Sequence, residues 1–214
     1  MFGVYSASAD VSHQFLCSER KGGKGANEVI SMLHFTLKTN AYFEYLNDPE
    51  TKTQPQDRVV TEWCDNCGGQ NKTSFVVWYL LFLVEFGVLR EAHLKFFTKG
   101  HTKNHCDRSF GQVKRHLARV SCWNMESFAE AASDGSVGND IHRLEELETP
   151  FRQFKEFLGS LYNKQPKTQS YQILSMSCAK PEDVFCRRMP SADSKWVKLS
   201  RKRDESVPTT FVEL

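Results

Sequence analysis

Apolar and polar positions along the chain switch between two periods. Phe2–Ser8 and His13–Ser18 alternate as short strands, with a turn around Ala9–Ser12. The Lys21–Gly25 stretch (KGGKG) breaks the pattern. After Asn27, the apolar positions Val29, Ile30, Leu33 and Leu37, with Ala41 beyond them, fall on one helical face. A polar, proline-containing loop follows over Asn47–Gln56, and Arg58–Cys64 (RVVTEWC) reads as a strand ending at Asp65. The Gly-rich connection Asn66–Lys72 leads into a mostly buried helix over Phe75–Leu89. Ala92–Thr98 is the next strand, Lys99–Asn104 a turn, and Cys106–Val120 a helix.

This order, β-β-α-β-α-β-α, predicts an early hairpin and later strands joined by crossover helices, which make right-handed parallel connections. The expected architecture is α/β, a mixed sheet flanked by helices over residues 1–122. Beyond Cys122 the texture changes. Ala131–Asn139 reads as a loop, and Leu144–Tyr162 as a helix with Pro150 in its first turn. Tyr171–Ser177 reads as a strand. Residues 123–186 are expected to pack on the first unit as an α/β extension. Residues 187–214, with Lys198–Arg203 (KLSRKR), are expected to form a basic, flexible tail.

Composition adds bounds. With 40% hydrophobic and 25% charged residues in 214, the chain can bury a core. The formal charge of +2 means that any nucleic-acid footprint must be local. The longest apolar run, Phe75–Val84, is short of the ~20 residues that span a bilayer, so no membrane partner is expected. The opening MFGVYSASADVSH has neither a basic n-region nor a sustained apolar h-region. Seven cysteines without such a leader suggest reduced thiols in nucleus or cytoplasm rather than secretion.

Several residue groups could carry chemistry. Asp65 ends a strand, Asp107 begins the helix after the next strand, and Glu28 lies in the first turn of the first long helix. Carboxylates gathered at the carboxyl edge of an α/β sheet suit Mg²⁺ or Mn²⁺, and two such ions serve phosphodiester chemistry. The competing reading is that these acids simply sit at helix starts, where the macrodipole favours them. Gly100-His101-Thr102, followed by His105, Asp107 and Arg108, could contact metal or phosphate. Cys64 and Cys67 form a CxxC that, with His101 and His105, would supply four zinc ligands. The gap between the pairs is far longer than in a finger, and buried, inert thiols are the competing reading. Between Lys95 and Arg119 lie Lys99, Lys103, Arg108, Lys114 and Arg115, with Asp107 as the single acid. Such a stretch suits a polyanionic substrate, or is a solvated helix face. KGGKG lacks the Gly-Lys-Ser/Thr order of a phosphate loop and reads as a turn.

Three blocks together resemble a known group. They are Ser18-Glu19 with Lys24-Gly25-Ala26-Asn27-Glu28-Val29-Ile30-Ser31; Trp63-Cys64-Asp65-Asn66-Cys67-Gly68-Gly69-Gln70-Asn71-Lys72; and Lys99-Gly100-His101-Thr102 with Cys106-Asp107-Arg108-Ser109-Phe110-Gly111. Their order over residues 2–120 resembles that of transposon-derived eukaryotic proteins with a ribonuclease H-like, integrase-type domain.

The resemblance implies a ribonuclease H-like fold and DDE-type polynucleotidyl transfer on DNA. Asp65, Asp107 and Glu28 would be the acids that hold Mg²⁺ or Mn²⁺. His101, Lys103 and His105 would position phosphates, with Arg108 and Lys114 as further phosphate contacts. The chain departs from the group's pattern at its beginning, where the strand bearing the first catalytic aspartate is expected and Asp10, in a turn, is a poor substitute. The expectation is therefore an incomplete or degenerate transposase-like domain, with weak metal binding and no efficient strand transfer, and with self-association left open. The rival readings are a domesticated nucleic-acid-binding module and a zinc-stabilised interaction protein.

Overall fold

Strands β1 (Phe2–Ser6) and β2 (Val11–Leu16) form the expected antiparallel hairpin, with Phe2 opposite Phe15 and Ser6 opposite Val11. Asp10 closes the turn with φ of 53°, and Tyr5 donates to its carboxylate at 2.7 Å. This computed structural model describes residues 1–17, 25–43, 58–98, 104–135, 138–143 and 151–200.

Helix α1 (Ala26–Thr39) has no proline and carries Val29, Ile30, Leu33 and Leu37 on its buried side. Helix α2 (Ser74–Glu85) is the centre of the molecule. Its ten residues from Val76 to Glu85 include nine that are buried, so it has no polar stripe and must be covered on every side. It stops at Phe86, where Gly87 takes φ of 75°, a left-handed conformation that glycine adopts without a Cβ penalty. The buried Arg58 donates to the Gly87 and Val88 carbonyls at 2.9 and 3.3 Å, tying this turn to the start of the next sheet.

Strands β3 (Val59–Cys64) and β4 (Glu91–Phe96) flank α2 in sequence and pair parallel, as a crossover helix requires. Helix α3 (His105–Leu117) and helix α4 (Met125–Asp134) follow, then β5 (Asn139–Arg143) and helix α5 (Phe154–Leu161). The chain continues with β6 (Ile173–Ser177), β7 (Asp183–Arg187) and β8 (Ser194–Lys198).

The molecule is mixed α/β with two mixed sheets rather than the single sheet expected. One has the order β1-β2-β5, with β5 parallel to β2; the other has the order β3-β4-β6-β7-β8, antiparallel after the β3–β4 pair. Among the described residues, the smaller sheet ends at β1 and β5 and the larger at β3 and β8, each with one unpaired edge. The larger sheet presents Ala92, Leu94, Phe96, Leu174, Met176, Val184 and Cys186 to the main core, which also contains α2 and parts of α1 and α5. A second cluster, Leu16, Val113, Ala129 and Ala132, holds α3 and α4 on the smaller sheet.

Several sequence expectations change. Residues 131–139 are not simply a loop. Helix α4 runs through Asp134, launched by a capping box in which Asn124 accepts from the Ser127 amide and Ser127 reaches back to Asn124. The helix expected over 144–162 is observed from Phe154, and residues 144–150 lie outside the described residues. Within the basic tail expected from residue 187, residues 201–214 lie outside the described residues, while residues 194–198 form β8, whose Val197 pairs with Val184 and whose Trp196 packs against Phe185 in tilted geometry with ring centroids 4.8 Å apart. Its sequence, SKWVK, hides the strand because its outward positions are polar or aromatic and it is an edge. Among the described residues, no helix is long and apolar enough to cross a membrane.

Candidate functional site

Asp65 lies just past the end of β3, and Asp107 lies in the first turn of α3. Asp65 follows β3 and is exposed; its Oδ1 accepts from the Cys67 amide at 3.1 Å and from the Asn71 side chain at 2.8 Å. Asn66 donates to the Phe97 carbonyl beyond β4 and accepts from Lys72 Nζ at 2.8 Å. Lys72 is buried, lies over the Phe96 ring, and has its pKa lowered by that burial. Gln169 donates to the Lys72 carbonyl at 2.7 Å and crowds Gly68, where a Cβ would meet its amide at about 3.0 Å. The Asp65–Lys72 block is thus a self-bonded turn that joins β3, β4 and α2.

Asp107 is exposed in the first turn of α3. Asn104 accepts from the Asp107 amide at 3.0 Å, while Asp107 Oδ2 accepts from the Asn104 amide at 3.3 Å, a complete capping box. The helix start is pinned to β1. His105 stacks on Tyr5 with centroids 4.1 Å apart, and Cys106 donates to the Gly3 carbonyl at 3.6 Å. A Cβ on Gly3 would stand 2.7 Å from the Phe110 ring, so a larger residue there would displace that ring.

Electrostatics ties these segments together. Burial pushes the Glu62 carboxyl up to about 7, even though its side chain keeps partial surface access. The Cys64 thiol is pushed well above its ordinary value, first by burial and then by Glu62, Asp65 and Cys106. Cys106, which precedes Asp107 in sequence, is thus within electrostatic reach of Cys64, which precedes Asp65. Glu28 is placed differently: its carboxylate turns back on its own helix start, where a Cβ on Gly25 would meet Oε2 at 2.9 Å.

Each of the three acids is turned toward a helix or turn start. Among the described residues, the group of at least three His, Cys, Asp or Glu side chains whose ligating atoms lie within 4.8 Å of one another is His13, Asp140 and His142, which includes none of them. As placed, Glu28, Asp65 and Asp107 do not fit a ready-made Mg²⁺ or Mn²⁺ pair. Nor do Cys64, Cys67 and His105 form a zinc group, and the raised Cys64 pKa disfavours its thiolate. His101 and Lys103 lie outside the described residues.

The cationic side of the site is open. On α3, Arg108, Lys114 and Arg115 are exposed, whereas Ser109 and Val113 are its buried residues. Arg108 and Arg115, seven positions apart, share a stripe. Beside Asp65, Trp63 is 56% exposed and stacks on Phe97 at 5.4 Å, with Lys95 Nζ 5.3 Å from the indole.

Sequence reasoning missed three features here. The burial of Glu62 has a faint signal, an acid in register with inward-facing Val60 and Cys64. The Trp63–Phe97 pair could be read only once β3 and β4 were known to adjoin. The His13, Asp140 and His142 group has no local signal, since its histidines are 129 residues apart.

A family profile described as "Domain of unknown function (DUF7869)" matches residues 24–189. No curated protein and no solved structure matches the chain.

Proposed function

We propose that the chain, which belongs to the DUF7869 family, is an integrase-type, ribonuclease H-like domain that binds nucleic acid without efficient strand transfer. The observation that carries the reading is the exposed Arg108–Lys114–Arg115 face of α3, at a helix whose one acid, Asp107, is engaged in its capping box. Cations on a rigid helix can neutralise successive phosphates, and each released counterion makes binding salt-dependent. The Trp63–Phe97 pair adds an aromatic surface on which an unpaired base can stack. DNA is the proposed partner, and a nuclear or cytoplasmic setting accords with seven free cysteines.

The test is fluorescence anisotropy with labelled duplex and single-stranded DNA, in EDTA, across a salt series. Binding should weaken with log salt at a slope of roughly −2 to −4. Arg108→Glu with Arg115→Glu should flatten that slope for every DNA sequence. An absence of binding at low salt, or a slope that the reversals leave unchanged, would overturn the reading.

A second reading, metal-dependent cleavage, is favoured by one observation: Cys106, which precedes Asp107, contributes to the raised pKa of the Cys64 thiol, which precedes Asp65. Local rearrangement of the two turns would free both carboxylates for Mg²⁺ or Mn²⁺. Mn²⁺-dependent nicking that Asp65→Asn abolishes would establish this reading in place of the first.

A further inference from the structure

The parallel pairing of β2 with β5 sets His13 against Asp140 and Phe15 against His142. Registered partners in a sheet share a face, so His13, Asp140 and His142 project together on the side that packs toward α1. His13 Nδ1 lies 3.0 Å from His142 Nε2 and 3.8 Å from Asp140 Oδ2. We infer that His13, Asp140 and His142 form a binding site for one divalent transition-metal ion of the zinc class.

The separations suit such an ion. Ligand bonds of about 2.0–2.2 Å, at tetrahedral to octahedral angles, put neighbouring ligand atoms about 2.9–3.5 Å apart. The two imidazole nitrogens already meet that requirement. Asp140 needs only a small swing, and its side chain is 57% exposed, so it can move while the histidines stay fixed. Two nitrogens and one carboxylate oxygen select zinc, cobalt, nickel or iron over Mg²⁺ and Ca²⁺, which prefer oxygen. Three protein ligands leave a position open to water on the Asp140 side.

The surroundings hold the rings for this role. His142 is wedged between Phe15 and Phe35, at centroid distances of 5.1 and 4.7 Å, the second in edge-to-face geometry. Phe15 is fully buried. His13 is 2% exposed, and among the described residues its Nε2 has no hydrogen-bond partner. An apolar ring would fill that space without stranding a polar atom, so the imidazole is explained by what its Nδ1 meets.

The full-length chain, freed of metal with EDTA and dialysed, would be titrated with ZnCl₂ by calorimetry and with CoCl₂ by visible absorption. One ion per chain should bind, with a d–d spectrum lacking thiolate charge transfer, and should raise the melting temperature. Asp140→Asn and His142→Ala should each weaken binding by at least the roughly 10–100-fold that loss of even an outer-shell partner causes. Cys64→Ser with Cys67→Ser should leave it unchanged. Circular dichroism checks the fold; if His142→Ala does not fold, the exposed Asp140→Asn variant alone decides. No saturable binding by the native chain, or binding that survives at Asp140→Asn and vanishes in the cysteine variant, would overturn the inference.

Discussion

The Tyr162 phenol donates to Glu85 Oε2 at 2.6 Å, joining the end of α5 to the end of α2 across 77 residues. Tyr162 is fully buried, and Ser200 also reaches Glu85, at 3.4 Å. A bond to a charged group in such a place contributes about 1.5–3 kcal/mol. Tyr162→Phe should therefore lower unfolding free energy by that amount in urea, with an unchanged m-value. A loss below about 0.5 kcal/mol would mean that water replaces the phenol.

Glu62 makes stability depend on pH. Its carboxyl titrates near 7 in the folded chain against an ordinary 4.5. Its contribution is fully present below 4.5 and is lost as pH rises through 7, because the folded state must then hold a buried charge. The full shift would be worth about 3 kcal/mol, and partial exposure of the side chain reduces this to ~1–3 kcal/mol. Glu62→Gln should melt higher than the native chain at pH 8, with the difference shrinking toward pH 5. Parallel melting curves across that range would show that Glu62 is ordinarily solvated.

Asp65 has a structural role that can be separated from a catalytic one. Its Oδ1 holds the Cys67 amide and the Asn71 side chain, so Asp65→Ala should cost about 1–2 kcal/mol. Asp65→Asn keeps an acceptor oxygen and should cost less. A gain in stability with Asp65→Ala would instead be the mark of an acid held for function against the interests of the fold.

The Asn104 capping box offers a cleaner measurement. Asn104→Ala should cost about 1 kcal/mol, read by thermal or chemical denaturation. It should also loosen the Tyr5–His105 stack, visible as a change in near-ultraviolet circular dichroism. A neutral result would locate the stability of this helix start in its packing on β1.

The fold was most legible where periodicity was strong. The buried helix α2 and strands β3 and β4 lie within a few residues of their expected positions, because a long apolar run flanked by strands has few alternatives. Helix α4 was hidden because Ser133, Asp134 and Gly135 look like turn residues, although the helix continues to Asp134. Strands β5, β7 and β8 are five residues each and are defined by their partners more than by their own composition. The positions of Asp65 and Asp107 could be read from the sequence. Their engagement in local hydrogen bonds could not, since the same residue types serve caps and metals alike.

The pairing of β2 with β5 has a kinetic meaning as well. His13 meets a partner that is synthesised 129 residues later. The hairpin can form at once, but the β2 edge stays open until β5 emerges, on the order of 10 s at about 5–20 residues per second. Joining strands so distant in sequence makes this the slow step in assembling the smaller sheet. A chain stalled before residue 139 would carry an unsealed strand edge, the kind that chaperones or like chains capture first.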